Sequence, residues 1–424
     1  MAHRQVSHFS FLYILFSKYT KYGKIQQIMG DIDESLKEKR EDIRIDYERK
    51  LRRHRLSILY RIVIVAVIFV VIIGSMYYNY QKMVYSDYDV LKTITYSEAL
   101  NAKYLPFNGN MLRYSQDGAS AFNISNDMIW NETFEMQNPL CDVCGDYIAI
   151  GDYMGTTIYI YNSEGLCGTI DTSTPLKRFC VAGNGNVAVV LEDEDVTWVK
   201  LYDVNGVNVA SDRTTMSKSG YPVAVDISDD GILLAVSYLF VDSGVMSTSV
   251  AYYNFGAVGQ NEIDNLVSGY NYSGTIVPYV KFMNADTSFA VGDNNLVIFK
   301  GAQKPESIFD KNLEDDVESV FNSKDYIAIV YEQDEGEHKY LMEIYDDEGN
   351  IVTSLEYDLE YSNVAINREM IIIYNSDECE MYNVSGLKKF AGSFDQSVVN
   401  ILPTTTNSRY HIVHGDCMEE IKLK

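Results

Sequence analysis

The sequence predicts an all-β protein, a β-propeller, that follows a single N-terminal transmembrane helix. A short apolar strand recurs eight times between residues 111 and 413, at intervals of 36 to 56 residues. In most repeats a second strand follows and ends on an aromatic residue with Asn or Asp after it. A run of 17 uncharged, mostly apolar residues precedes all the repeats. Four short strands in a unit of roughly 43 residues is the period of propeller blades.

The uncharged run covers residues 62–78, and it extends back over residues 56–60 to about 20 residues, with Arg61 near one end. That length crosses roughly 30 Å of hydrocarbon. A buried core helix is the alternative, but β-branched residues on every side leave no polar face. The predicted segments are a cytoplasmic basic segment with a charged helix over 1–55, a transmembrane helix over 56–80 and an extracytoplasmic propeller over 81–424.

The charges that flank the span predict its orientation. Six basic residues, from Arg49 to Arg61, lie just before it, whereas only Lys82 and Lys92 follow it closely. The positive-inside rule then places the N-terminus in the cytoplasm and the large acidic part outside. We therefore expect a single-pass protein of the cell membrane.

The segment before the span is expected to form a solvated, charged helix over residues 31–56. Asp46 and Lys50 stand four residues apart, a spacing that stabilises a helix. A dimerising coiled coil is one alternative, so a homodimer through the cytoplasmic or transmembrane helix stays open. A basic patch on anionic lipid is the other. Met29 is a second candidate start, which leaves open whether residues 1–28 are translated.

The repeats divide the outer domain into eight units, and eight blades are favoured. The last unit has room for only three strands, and residues 87–96 can supply the fourth and close the ring. Closure removes the strand edges that an extended array exposes. Seven blades is the alternative, because one unit is long and the last is incomplete. The units are residues 103–137, 138–174, 175–219, 221–270, 276–313, 316–360, 362–396 and 397–424.

A turn motif recurs in four units: an aromatic residue, Asn or Asp, two further residues and then Gly. Gly supplies the positive φ that such a turn requires. Through this motif, residues 86–424 resemble the quinoprotein-like and WD-repeat-like propellers. With the span added, the whole chain resembles a family of membrane-anchored propeller proteins from clostridial Gram-positive bacteria. The glycines of the motif are Gly165, Gly206, Gly349 and Gly386.

The resemblance implies the fold and no biochemical activity, and two features of those propellers are missing. Quinoprotein-like blades carry a recurring Trp, but Trp130 and Trp198 are the only tryptophans in this chain. WD repeats carry Gly-His and Trp-Asp pairs, and no unit here contains either. The repeat therefore specifies the fold and does not indicate the biochemical function.

The six cysteines are too few for a scaffold built on disulfides. Cys141 and Cys144 form the only C-x-x-C pair, so no second pair completes a zinc site. The pair precedes a strand and not a helix, which favours buried or strand-edge thiols over redox chemistry. A disulfide between them is the alternative, as is one between Cys379 and Cys417, which occupy similar hairpin positions in neighbouring units.

Acidic residues cluster in the predicted turns, where a solvated rim is the favoured interpretation and calcium the alternative. Residues 226–231, DISDDG, place oxygen-bearing side chains at positions 1, 3 and 5 and Gly at position 6. Position 12 is Ser237, however, and not the bidentate Glu of a calcium loop. A β-turn is therefore predicted. The acidic clusters lie at residues 192–195, 314–316, 332–337 and 346–348.

No catalytic residue, cofactor site or metal site is predicted. The histidines beyond the span, His338, His411 and His414, are interpreted as ordinary strand and turn residues. The sequence contains no G-x-S-x-G elbow, no H-E-x-x-H pair and no P-loop.

The predicted function is a non-catalytic binding or scaffolding module for an unidentified protein, peptide or cell-wall glycan. Residues 62–424 contain 21 basic and 52 acidic residues, and so acidic a domain argues against nucleic acid as a partner. The alternative is an extracytoplasmic carbohydrate-active enzyme that uses acidic residues at the propeller channel. Two carboxylates facing each other in a deep pocket would favour the enzyme, and a flat or Tyr-lined face would favour the binding module.

Overall fold

A computed structural model describes residues 5–95, 102–123, 125, 127–193, 196–214, 220–333, 336–404 and 408–424. The chain divides into two compact units, with the boundary between Met83 and Val84. The first unit is helical and the second consists almost entirely of β-strands. Each unit is described by itself below.

The first unit contains one helix, α1 (Gln5–Gln81). Within it, Arg49–Asn79 is long and apolar enough to cross a membrane, and it is the one such stretch among the described residues. Its side chains are exposed along the predicted span, so they do not pack into a protein core. The charged part of α1 contains the predicted pair, with Lys50 Nζ 2.8 Å from the Asp46 carboxylate.

The second unit contains eight four-stranded antiparallel sheets, which are the blades of a propeller. In blades 1 to 7 the strands follow one another in chain order. Blade 1 has β2 (Lys103–Phe107), β3 (Asn110–Tyr114), β4 (Gly118–Phe122) and β5 (Met128–Thr133). Blade 2 has β6 (Pro139–Cys144), β7 (Tyr147–Asp152), β8 (Thr157–Asn162) and β9 (Gly165–Asp171). Blade 3 has β10 (Leu176–Val181), β11 (Val187–Asp193), β12 (Val196–Tyr202) and β13 (Asn208–Thr214).

Blade 4 is the long unit, because β15 and β16 have 10 residues each and two short 3-10 helices, Gly259–Asn261 and Ile263–Asn265, precede its last strand. It has β14 (Tyr221–Ile227), β15 (Leu233–Asp242), β16 (Val245–Asn254) and β17 (Leu266–Tyr272). Blade 5 has β18 (Tyr279–Phe282), β19 (Thr287–Val291), β20 (Asn295–Lys300) and β21 (Glu306–Asn312). Blade 6 has β22 (Val317–Asn322), β23 (Ile327–Glu332), β24 (Tyr340–Tyr345) and β25 (Ile351–Tyr357). Blade 7 has β26 (Asn363–Ile366), β27 (Met370–Tyr374), β28 (Glu378–Asn383) and β29 (Lys388–Ser393).

Blade 8 closes the ring by combining the two ends of the propeller. It has β30 (Val398–Pro403), β31 (Arg409–His414), β32 (Cys417–Leu423) and β1 (Tyr88–Thr95). β1 pairs antiparallel with β32, from Tyr88 opposite Leu423 to Thr95 opposite Cys417. The prediction that residues 87–96 complete the last sheet is confirmed over the described residues, and Tyr96 lies outside them. Eight blades are confirmed, and the seven-blade alternative is wrong.

The core lies between the blades and not within any one of them. Buried apolar residues form eight clusters, and each contains residues of two neighbouring blades. The smallest set of buried residues joins blades 8 and 1 and consists of Tyr104, Met111, Val413 and Met418. Among the described residues, the interface between blades 8 and 1 therefore has the least apolar packing. The strand pairing of β1 with β32 also holds the ring closed.

The recurring turn motif joins the third and fourth strands of its blade. In blade 3 the Asp203 carboxylate accepts hydrogen bonds from the backbone N–H groups of Asn205 (3.0 Å) and Val207 (2.8 Å). Gly206 has φ 80°, and a Cβ on it would lie 2.2 Å from the carbonyl oxygen of Thr169 in blade 2. Gly is therefore required at position 206 for two reasons: the turn needs a positive φ, and the preceding blade approaches too closely for a Cβ.

Candidate functional site

The first strands of the blades lie innermost, because they contact one another in six of the eight pairs of neighbouring blades. They surround a central channel that contains two cavities, of about 370 Å³ and about 270 Å³. Asp142 and Lys281 line both cavities, so these two side chains lie where the cavities meet. We call the larger cavity the basic mouth and the smaller one the acidic mouth.

A group of three charges lies at this junction. Lys281 Nζ is 2.8 Å from Asp226 Oδ1 and 4.0 Å from Asp142 Oδ1. The Asp226 side chain is 8% exposed, whereas those of Asp142 and Lys281 are 27% and 33% exposed. We call these three residues the channel triad.

Each carboxylate of the channel triad also bonds to the backbone of the next blade. Asp142 Oδ2 accepts the N–H of Val181 in blade 3 at 2.8 Å, and Asp226 Oδ2 accepts the N–H of Phe282 in blade 5 at 2.7 Å. The two aspartates hold equivalent positions, since each pairs with an alanine of the second strand in its own blade. The triad therefore links four consecutive blades, 2 to 5, around the channel.

Burial and charge act in opposite directions on the ionisation of the triad. Burial raises the pKa of Asp226 to about 6, although Lys281 acts to lower it. For Lys281, burial lowers the pKa, but the two carboxylates outweigh burial and hold it well above its ordinary value. At neutral pH the triad thus contains one cation between two anions.

The basic mouth has a composition unlike the rest of the domain. Lys103, Arg178 and Lys281 all line it, and Lys103 and Arg178 are exposed. Lys103 Nζ lies 5.9 Å from the centre of the Tyr114 ring, and Tyr279 lines the same cavity. Among the described residues, neither Lys103 nor Arg178 forms an ion pair with a carboxylate. The mouth can therefore offer two cations to an anionic group.

Asp229 makes two polar contacts with other residues that line the acidic mouth. Asp229 Oδ2 accepts a hydrogen bond from Lys324 Nζ at 2.7 Å, and Asp229 Oδ1 accepts one from the Cys144 thiol at 3.4 Å. Burial, and after it the neighbouring Asp229, raise the pKa of Cys144 to about 12. Cys144 is therefore a protonated thiol at neutral pH and not an activated nucleophile.

The predicted β-turn at residues 226–231 is present, and its acidic residues separate in space. Gly231 N–H donates to the carbonyl of Ser228 at 2.8 Å, which closes the turn. Asp226 lies in the channel triad, Asp229 faces Lys324, and Asp230 accepts a hydrogen bond from Ser228 Oγ at 2.6 Å. These carboxylates do not converge on one point.

The described residues of the other predicted clusters lie in turns or at the ends of strands. Residues 314–316 are mostly exposed, and Asp347 pairs with Lys300 of the neighbouring blade at 3.1 Å. Glu192 pairs with Lys177. Residues 194–195 and 334–335 of these clusters lie outside the described residues.

All six cysteines are free thiols in the structure. Neither alternative disulfide, Cys141 with Cys144 or Cys379 with Cys417, is formed. The first pair lies along one strand, β6, where residues three apart point to opposite faces. Cys379 lies in the apolar cluster between blades 7 and 8.

The three outer histidines lie in different surroundings. His338 is partly exposed and lies 2.9 Å from Asp358, which raises its pKa. His411 is partly buried in β31, and burial lowers its pKa. His414 is 3% exposed and lies beside other polar side chains.

Sequence reasoning missed the channel triad. In the sequence, Asp142 falls within the C-x-x-C pair and Asp226 within a predicted turn, and no motif includes Lys281. One signal was present in the sequence: each is a charged residue within the first, innermost strand of its unit, where most neighbours are apolar. The three residues lie in three different blades, so no local sequence pattern could have shown that they pair.

The topology of eight radial sheets closed through β1 and β32 defines this chain as an eight-bladed β-propeller. The model of a family of unknown function (DUF5711) matches residues 80–423. The chain therefore belongs to that family. No curated protein matches it.

Solved structures with a similar fold are propellers of low sequence identity. BamB from Moraxella catarrhalis is 13% identical, with a TM-score of 0.46, over 80% of this chain and 100% of its own. Sqt1 from Chaetomium thermophilum is 13% identical, with a TM-score of 0.49, over 81% and 98%. Hsv2p from Kluyveromyces lactis is 10% identical, with a TM-score of 0.45, over 70% and 98%. At these values the similarity carries no information about ligand or activity.

Proposed function

We propose that this protein is a membrane-anchored, non-catalytic binding or scaffolding module of a Gram-positive cell, with its propeller outside the membrane. The ligand presents an anionic group, on a peptide, a protein or a cell-wall polymer, to the basic mouth. The observation that carries this proposal is the pair of exposed cations, Lys103 and Arg178, at one cavity of an otherwise acidic domain. Tyr114 and Tyr279 line the same cavity.

The electrostatics of the domain support a selective anion site. Residues 62–424 carry 52 acidic against 21 basic residues, so most of the surface repels anions. A local group of cations over a concave surface focuses the field and attracts an anion there. Lys281 adds to this field from within, although Asp142 and Asp226 neutralise much of its charge.

The enzyme alternative has one supporting observation, since Asp142 and Asp226 both line the acidic mouth. A pair of glycosidase carboxylates needs one free acid and one free base at the substrate. Here each carboxylate accepts a backbone N–H, both lie near the same lysine, and Asp226 is almost fully buried. These contacts favour a structural role for the pair over acid–base catalysis.

Binding is tested with the full-length protein in detergent micelles and two labelled anionic probes, an acidic peptide and a soluble acidic cell-wall fragment. Fluorescence anisotropy should show saturable binding of at least one probe that weakens as salt rises. Arg178→Glu should weaken binding by roughly tenfold or more. The control Lys304→Glu changes the same charge on an exposed turn of blade 5 and should leave binding unchanged. If neither probe binds, or if both variants lose binding equally, the proposal is overturned.

The membrane orientation is tested separately by adding protease to intact protoplasts. The propeller should be digested, and a small N-terminal fragment should remain protected, because the basic flank of Arg49–Asn79 is expected on the cytoplasmic side. Full protection of the propeller would show the opposite orientation.

A further inference from the structure

Three side chains at the β31–β32 hairpin bring together nitrogen, sulfur and oxygen donors. The ligand atoms of His414, Cys417 and Glu419 all lie within 4.8 Å of one another. His414 Nε2 is 3.8 Å from Glu419 Oε2. His414 and Cys417 are each 3% exposed, and the Glu419 side chain is 22% exposed. We call these three residues the hairpin cluster.

The strand register explains why the three side chains meet. Val413 pairs with Met418, so His414 and Cys417 are the next residues out and close the hairpin. Glu419 follows Cys417 by two positions in β32, and residues two apart in a strand share one face. A short hairpin of blade 8 therefore holds all three donors on the same side of its sheet.

A second observation concerns the imidazole of His414. Its Nδ1 lies 3.0 Å from the backbone carbonyl oxygen of Ser397. A carbonyl oxygen only accepts, so Nδ1 carries the hydrogen, and the neutral ring has its lone pair on Nε2. That is the atom that faces Glu419. A histidine fixed through one nitrogen by a carbonyl, with the other nitrogen directed at further donors, is the arrangement found at protein metal sites.

The Cys417 thiol has a polar neighbour. It donates a hydrogen bond to Gln396 Oε1 at 3.5 Å, and it would give up this proton on binding a metal as a thiolate. The hairpin cluster is separate from the channel triad, since none of its residues lines either channel cavity.

The donor set selects the metal. One imidazole nitrogen, one thiolate and one carboxylate oxygen suit Zn²⁺, which binds such ligands at about 2.0–2.3 Å in a tetrahedron. Donors at the corners of that tetrahedron lie about 3.3–3.8 Å apart. The observed separations, up to 4.8 Å, need only side-chain rotations to reach this range.

We propose that His414, Cys417 and Glu419 bind one Zn²⁺ ion, with a fourth position for water. Because the metal would connect β31 to β32, it would stabilise the hairpin next to β1, where the ring closes. An ion that binds the folded state and not the unfolded chain raises the stability of the fold.

The experiment uses the reduced, metal-free full-length protein in detergent micelles, titrated with Co²⁺ and then with Zn²⁺. Co²⁺ should produce one saturable thiolate-to-metal charge-transfer band per chain, and Zn²⁺ should displace it. Zn²⁺ should also raise the thermal midpoint, with a plateau at one equivalent. The absence of a saturable band in the wild-type protein would overturn the proposal.

Variants separate this cluster from other thiols. Cys417→Ser should abolish the band, and Glu419→Gln should keep it but weaken Zn²⁺ binding by roughly tenfold or more. The matched control Cys167→Ser removes a partly exposed thiol of blade 2 and should leave both readouts unchanged. The proposal would also be overturned if the charge-transfer band persisted in Cys417→Ser, or if Cys167→Ser lost the band as completely as Cys417→Ser. Glu419→Gln and the wild-type titration decide the matter if Cys417→Ser does not fold.

Discussion

Replacing Lys281 with Met removes the ammonium group that lies between the carboxylates of Asp142 and Asp226. At an effective dielectric constant of about 20, unit charges at the observed separations of 2.8 and 4.0 Å attract by about 6 and about 4 kcal/mol. Much of this attraction only offsets the cost of removing the charges from water, and a third of the Lys281 side chain stays exposed. Lys281→Met is therefore expected to lower the free energy of unfolding by about 3–5 kcal/mol at neutral pH.

The loss should depend on pH, because Asp226 can relieve its unpaired charge by binding a proton. Burial already raises the pKa of Asp226 to about 6 in the presence of Lys281. Without the lysine this pKa rises further, so protonation stabilises the variant more than the wild type as pH falls. The stability difference should shrink between about pH 7 and pH 5. A difference that stays constant over this range would refute the reasoning.

Urea unfolding followed by tryptophan fluorescence measures these losses. Trp130 and Trp198 are the only tryptophans, and both lie in the propeller, so the signal does not report on α1. As a control, Lys324→Met removes a cation 2.7 Å from Asp229, but the Lys324 side chain is 70% exposed. Exposed pairs contribute at most about 1 kcal/mol. Equal losses for the two lysine variants would refute a special role for the channel triad.

Three further perturbations test the ring and the channel. Gly206→Ala forces a Cβ against blade 2 at positive φ, whereas Gly109→Ala meets a similar φ in open space. Urea unfolding should show that the free energy of unfolding falls by roughly 2–4 kcal/mol in Gly206→Ala and by about 1 kcal/mol in Gly109→Ala. Equal losses in the two variants would contradict the contact between blades. Deletion of residues 418–424 leaves β1 without a partner strand and exposes one edge of β31, so size-exclusion chromatography should show aggregation. A truncated protein that elutes and melts like the full chain would contradict closure through β32. Asp226→Asn removes a carboxyl whose folded pKa of about 6 lies above its ordinary 3.8. Relative to this variant, the wild type should lose about 3 kcal/mol of stability as pH rises from about 3 to 7, and parallel pH profiles would contradict the burial of its charge.

The sequence by itself determined the architecture, because the signals of a propeller are local. Each blade repeats a strand pattern within a few tens of residues, and the turn from Asp203 to Gly206 needs only its own backbone and side chain to form. The closing strand β1 was also predictable. A last unit with three strands and a spare strand at the other end leave one way to pair both edges.

The tertiary structure alone decided which polar residues meet. Lys281 and Asp226 are 55 residues apart, and Asp142 is further still, yet all three lie on innermost strands that converge on the channel. The hairpin cluster is close in sequence, but the strand register and the Ser397 carbonyl determine that His414 faces Glu419. Strand patterns specify which face a side chain takes, whereas contacts between blades depend on how the ring closes. For that reason the sequence predicted the blades and not the charged groups between them.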